Sequence, residues 1–250
     1  MKTILITGCS SGFGLDAARH FLERDWKVIA TMRTPREDVL PRSDHLRVLP
    51  LDVTDADSIR RIVEEAGPID VLVNNAGIGA LNALEGLTMQ LVREVYETNT
   101  HGTIAMTQAF LPRFREQKAG VVVNVTSSVT VRSLPLLSVY TGSKAAVNAF
   151  TESLALELEP FGIRVRLVLP GRAPTTRFGE NARSRMGDFP EPYLPMVQKV
   201  FAGWQASTDP VTQSGDVSEA IWRAATDPSC PMRLPAGADA VALLSLDHGL

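Results

Sequence analysis

The sequence predicts an α/β fold, one doubly wound parallel sheet with helices on both faces, running through residues 1–250 as a single domain. Three observations predict it. Apolar runs at Ile4–Thr7, Lys27–Met32, Leu46–Leu51, Ile69–Asn74, Val121–Thr126 and Ile163–Leu169 alternate with helical stretches, the order of strands joined by crossover helices. The run Val121-Val122-Val123 shows no polar alternation, as in a strand covered on both faces. A glycine-rich turn, Thr7-Gly8-Cys9-Ser10-Ser11-Gly12-Phe13-Gly14, joins the first strand to the first helix.

Each element has its own signal. The N-terminal Met1-Lys2-Thr3-Ile4-Leu5-Ile6 is too short for a signal peptide and lacks a small-residue cleavage site, so it reads as a first strand. A helix follows from Gly12 to Arg24. Asp55 is placed to cap the helix that carries Ile59, Ile62 and Val63. One long helix follows Thr88 and ends near Gln117; another begins near Val139 and ends before Pro160. Asn99 and Gly102, both poor helix formers, predict a kink inside the first of these. The regular pattern lapses from Arg172 to Pro210, where Pro174, Pro190, Pro192, Pro195 and Pro210 fall. Phe178, Phe189, Tyr193, Phe201 and Trp204 make this stretch too aromatic for a linker, and it reads as a lid over about residues 172–212 with one or two short helices.

Composition narrows the function. A formal net charge of −3, with no Lys/Arg block, gives no basis for binding nucleic acid or an anionic membrane. No apolar stretch is long enough to span a bilayer. Two cysteines, Cys9 and Cys230, suit a reducing compartment, and the expected location is cytoplasmic. His20, His45, His101 and His248 lack metal-ligand spacing, so no metal is expected.

The glycine turn lets the backbone approach a pyrophosphate and sets that charge at the positive end of a helix, which makes Gly8, Ser10, Ser11, Gly12, Phe13 and Gly14 candidate contacts of a dinucleotide in a Rossmann-type domain. The spacing is G-x-x-x-G-x-G and not G-x-G-x-x-G. At the end of the second strand, where an acid would hold the adenosine ribose, stands Met32, followed by Arg33. Arg33, with Arg36 and the Ser11 hydroxyl, offers charge-assisted hydrogen bonds to a 2′-phosphate, so NADP(H) is expected in preference to NAD(H). Asp52-Val53 follows the third strand and brings a carboxylate toward the adenine amino group. Asn74-Asn75-Ala76-Gly77 ends the fourth, its glycine leaving room beside the cofactor.

Tyr140 and Lys144 lie i and i+4 on a helix and share a face. An ammonium beside a phenol favours the phenolate, so the Tyr140 pKa is expected to fall toward the range of a general acid/base. Ser127, thirteen residues upstream, ends the fifth strand. Ligands in open parallel sheets bind outside the strands' carboxyl ends, which aims all three at the crevice of the glycine turn.

Together Thr7–Gly14, Asn74–Gly77, Asn99, Ser127, Tyr140-Thr-Gly-Ser-Lys144 and Pro170-Gly171 resemble the short-chain dehydrogenase/reductase family, over nearly the whole chain from Thr3 to about Asp227. The resemblance implies that Tyr140 exchanges the proton of the substrate oxygen, that Ser127 orients that oxygen, and that Lys144 lowers the Tyr140 pKa and binds the nicotinamide ribose. It implies that Asn99 holds a water linking Lys144 to solvent. It also brings Pro170, Gly171, Ala173 and Thr175 beside the nicotinamide, although Arg172 and Pro174 depart from the family's pattern. Thr7–Gly12 and Thr31-Met32-Arg33 look like the branch with hydroxysteroid and retinol dehydrogenases.

The implied activity interconverts a ketone and a secondary alcohol. Ser127, Leu134 and Tyr140 would touch the substrate, with Leu134–Leu137, the lid and residues near Leu81 forming a mainly apolar wall. Arg132, Arg172 or Arg177 would meet an acidic group. The resemblance further implies a homodimer or homotetramer through the two long helices. An epimerase or lyase on the same fold, or a non-catalytic dinucleotide sensor, is the alternative.

Overall fold

Strands β1 (Thr3–Ile6), β2 (Lys27–Met32), β3 (Leu46–Pro50), β4 (Val71–Asn74), β5 (Gly120–Val125), β6 (Ile163–Pro170) and β7 (Arg233–Ala236) form one all-parallel sheet in the order 3-2-1-4-5-6-7. The structure, a computed structural model, describes residues 1–174, 176 and 178–247. The winding reverses between β1 and β4, which pair in register from Ile4 with Val71 to Ile6 with Val73. At such a switch point neighbouring crossovers part and leave a crevice at the strands' carboxyl ends.

Apolar side chains on both faces of each strand specify the sheet. Ile4 and Ile6 pack on one side with Phe21, Trp26, Val217 and Ile221, while Leu5 packs on the other with Ile59, Ile62, Met106, Phe110 and Phe114. Val121, Val123 and Val125 repeat the first pattern and Val122 the second. This is period-two geometry with both faces dry. Helices α1 (Gly12–Leu22) and α8 (Ser214–Thr226) cover the first face; α2 (Ala56–Ala66), α4 (Gly102–Gln117) and α5 (Ser138–Leu158) cover the second. Phe110 and Phe114 are wholly buried there, and truncating either to alanine would cost about 3–5 kcal/mol.

Asp55 caps α2 as expected, accepting the Asp57 N–H at 2.9 Å. The helix expected after Thr88 is divided into α3 (Met89–Tyr96), a π turn at Glu97–His101, and α4. Asn99 sits in that turn, and Gly102 follows because a Cβ there would lie 2.8 Å from Val53 Cγ2. The kink is real, and it is a wide turn of the kind frequent at functional sites. The stretch after β6 contains α6 (Phe178–Arg183), a 3₁₀ turn at Glu191–Tyr193 and α7 (Leu194–Ala206), where the sequence predicts one or two short helices.

One strand was absent from the sequence reading. β7 has four residues and contains Pro235, which cannot donate to a ladder. It is tolerated because β7 is the edge of the sheet. The chain then closes with α9 (Ala238–Asp247). No helix among the described residues is long and apolar enough to cross a membrane.

Candidate active site

A cleft of about 1450 Å³ opens along the carboxyl ends of the strands at the switch point. Its floor is the glycine turn. Thr7 Oγ1 accepts the N–H groups of Asn75 and Ala76, both at 2.9 Å, and Asn75 Nδ2 donates to Thr7 O at 2.9 Å, so the end of β4 clamps the end of β1. Gly8, at φ +77°, lies so close that a Cβ would come 2.9 Å from Ala76 Cα. Gly12, at φ +59°, is less crowded: a Cβ there would meet Thr176 Cβ at an ordinary 3.8 Å.

Ser10, Ser11, Gly12 and Phe13 line the cleft, whereas Gly14 does not. A Cβ on Gly14 would stand 2.5 Å from Gly8 O, so this glycine lets α1 pack beneath the turn and shapes the site from below. That corrects the expectation that it faces the ligand. Ser11 stands at the N-cap of α1 without a side-chain capping bond, and the first turn carries no acid. Uncapped N–H groups at a helix start, under a glycine turn open to the cleft, fit a pyrophosphate.

The other expected cofactor contacts gather along the same wall. Arg33, Asp52, Val53, Asn75, Ala76, Gly77, Pro170, Gly171 and Ala173 all line the cleft. Asp52 Oδ1 is already engaged by the Thr54 N–H at 2.9 Å and hydroxyl at 2.7 Å. Arg36 does not line the cleft and instead pairs with Asp38 at 3.8 Å. Thr175, Arg177 and His248 lie outside the described residues, as does the Phe178 side chain.

Ser127, Tyr140 and Lys144 meet at the inner end. The Ser127 and Tyr140 side chains are hydrogen-bonded to each other. Lys144 Nζ donates to Val125 O at 2.9 Å. Gly77 passes beside them: a Cβ there would be 3.3 Å from Lys144 Nζ and 3.2 Å from Asn99 Oδ1. Both side chains are almost wholly buried, Tyr140 at 7% and Lys144 at 5% exposure.

Burial reverses one expectation. The Tyr140 pKa is not lowered but pushed up to about 12 by desolvation, with the hydrogen bond from Ser127 opposing it only in part. Desolvation also brings Lys144 down to about 8. The i, i+4 argument counted the neighbouring charge and not the loss of water around both groups.

Asn99 is fully buried and does not line the cleft. Its Oδ1 accepts the Ile78 N–H at 2.8 Å, and its Nδ2 donates to Ile78 O at 2.9 Å and to Ser143 Oγ at 3.0 Å. Both amide hydrogens are thus committed, and Oδ1 keeps one lone pair for a water. The visible work of Asn99 is to tie the turn after β4 to α5.

The outer wall is apolar. Leu81, Leu136 and Val197 are buried together, with Phe189, Tyr193, Phe201 and Trp204 packed against them. Leu134, Leu137, Phe201 and Trp204 line the cleft. Arg172 lines the cleft, and its guanidinium donates to Trp204 O at 3.2 Å and Ser207 Oγ at 3.3 Å, bracing the end of α7 with two of its five N–H groups. Arg132 does not line the cleft.

Sequence reasoning missed Asn82 and Glu85. Buried Asn82 donates through Nδ2 to Met186 O at 2.6 Å and to Asp188 O at 3.1 Å, and the Tyr193 phenol hydrogen-bonds the Glu85 side chain. The signal for Asn82 was one amide inside the apolar run Ala80-Leu81-Asn82-Ala83-Leu84. Among the described residues, no group of three or more His, Cys, Asp or Glu is placed to hold a metal ion.

Known proteins carry the same pattern. A family model described as short chain dehydrogenase matches residues 2–186. The chain is 42% identical over 174 residues to 3-ketodihydrosphingosine reductase of Bacteroides thetaiotaomicron, a match covering 68% of this chain and 63% of that protein, less than two thirds of its length. It is 33% identical over 236 residues to retinol dehydrogenase 8 of Homo sapiens, covering 85% of this chain and 76% of the relative. The closed form of serine dehydrogenase complexed with NADP+ superposes with a TM-score of 0.80 at 28% identity, over 95% of each chain. The chain belongs to the short-chain dehydrogenase/reductase family of oxidoreductases.

Proposed function

We propose that this protein is an NADP(H)-dependent carbonyl reductase that interconverts a ketone and a secondary alcohol on a mainly apolar substrate. The observation that carries the reading is the Ser127–Tyr140 hydrogen bond, with Lys144 close by, at the inner end of a cleft floored by an open glycine turn. The bound dinucleotide supplies or accepts the hydride. Tyr140, with a pKa near 12, holds its proton at neutral pH and is therefore a donor, which suits reduction. Ser127 Oγ holds the substrate oxygen against that phenol, so negative charge developing there meets two placed donors. Lys144 spends one N–H on Val125 O and has others for ribose hydroxyls.

Arg33 supplies the preference for the phosphorylated cofactor, because Met32 leaves no carboxylate at the end of β2 to repel a 2′-phosphate. The apolar wall of Leu134, Leu137, Phe201 and Trp204 selects bulky hydrocarbon next to the carbonyl. Relatives named for a ketosphingosine and for retinol agree with such a wall.

The test follows the absorbance of NADPH and NADH across a panel of ketones graded by apolar size. Turnover should favour NADPH and rise with size, and Tyr140→Phe should abolish it while NADPH still binds. Preference for NADH, for a small charged keto acid, or near-normal turnover by Tyr140→Phe would each overturn the reading.

A further inference from the structure

The lid leaves the sheet after β6 and rejoins the fold before α8, and both of its ends meet one buried hydroxyl. Thr212 is wholly buried. Its Oγ1 receives the Gly171 N–H at 2.8 Å and lies 2.8 Å from Ala236 O and 2.7 Å from Asp239 Oδ1. The Thr212 N–H donates to Arg172 O at 2.8 Å. Asp239 Oδ2 takes the Arg172 N–H at 2.6 Å. Two glycines clear the space: a Cβ on Gly171 would overlap the Asp239 carboxylate, and one on Gly237, at φ +100°, would overlap Thr212 Oγ1.

This clasp leaves a specific remainder. Pro170 and Pro174 have no N–H, and the clasp consumes those of Gly171 and Arg172. Within residues 170–174 the Ala173 N–H alone is left to face a ligand, and Ala173 lines the cleft. Asp239, on the first turn of α9, lines it as well.

We propose that Asp239 and Thr212 are positioning residues that fix the Gly171–Ala173 backbone and aim the Ala173 N–H at the cofactor. The clasp holds this strip in place beside the cleft. The inference rests on the proposed reading that the strip touches the nicotinamide end of the cofactor.

Direct titration with NADPH, with melting temperature recorded on each sample, tests it on the full chain. Asp239→Ala and Thr212→Val should each weaken NADPH binding about tenfold or more, as expected when a hydrogen bond to a charged or buried group is lost. Thr212→Ser, which keeps the hydroxyl, should bind within about twofold of the unsubstituted protein, a difference of about 0.4 kcal/mol. Asp239→Asn keeps an acceptor for the Arg172 N–H and should fall between. Folded Asp239→Ala and Thr212→Val that bind NADPH normally would overturn the proposal. Loss of folding in Asp239→Ala, Asp239→Asn and Thr212→Val alike would also overturn it, because the clasp would then be a fold element only. Failure of the unsubstituted protein to bind NADPH would overturn the proposed function instead.

Discussion

Lys144→Met should stabilise the cofactor-free protein while removing its activity. Burial holds the Lys144 ammonium at a pKa of about 8 against an ordinary 10.5, which corresponds to a cost of about 3 kcal/mol for carrying the charge. Between about pH 8 and 10.5 the unfolded chain keeps a proton that the folded chain has shed, so stability rises with pH across that window. The cost is complete below pH 8 and gone above about 10.5. Methionine fills similar space without charge, but strips Val125 O of the hydrogen bond it accepts from the ammonium at 2.9 Å, a loss of about 1.5–2 kcal/mol for a charged donor. The net gain at pH 7 is then about 1 kcal/mol, or about 3 °C in melting temperature for a chain of this size. Urea melts at pH 7 and pH 10 without cofactor read both the gain and its decay. A variant less stable than the unsubstituted protein at pH 7 would refute the reasoning, since the ammonium's contacts would then outweigh its burial.

The pH profile of reduction should show one descending limb near pH 8, as Lys144 loses its proton and its hold on the ribose. Tyr140 stays protonated well beyond that point, so kcat/KM measured from pH 6 to 10 should be flat on the acid side; a limb rising toward neutrality would contradict this. Asn82→Ala deletes the ties to Met186 O and Asp188 O and should raise the KM for an apolar ketone about tenfold, the combined worth of two modest hydrogen bonds. NADPH affinity should not change, and an unaltered KM would show that the lid holds its shape without that amide.

Much of the fold was legible because it rests on local pattern. Val121–Val125 could only be a strand wetted on neither face, and Thr7–Gly14 could only be a tight strand-to-helix passage. The meeting of Ser127, Tyr140 and Lys144 followed from strand ends and one helical repeat. What escaped depends on residues distant in sequence. The Tyr140 pKa is set by the packing that excludes water, and nothing at i±4 reports that. Gly14 and Gly12 look alike in sequence, but one lies under the turn and the other faces the cleft, a distinction drawn by Asn75 and Thr176. The brace that Arg172 gives to the end of α7 was hidden because its partners, Trp204 O and Ser207 Oγ, lie more than thirty residues away. β7 was hidden by its length and by Pro235.

The two halves of the cleft are held by different means, and this separates chemistry from specificity. Tyr140 and Lys144 ride on α5, Ser127 stands just past β5 at the start of a 3₁₀ turn, and Asn99 binds α5 to the turn after β4; all of these are buried against the sheet. The apolar wall hangs instead on a few ties, from Asn82 to Met186 and Asp188, from Glu85 to Tyr193, and from Arg172 to the end of α7. Hydrogen bonds of this kind contribute about 0.5–1.5 kcal/mol each, far less than the burial that fixes α5. Sequence change between residues 178 and 206 bears on α5 through Leu136 and Leu137, which pack in the same apolar cluster just before that helix, whereas Tyr140 and Lys144 themselves are held by the burial of α5.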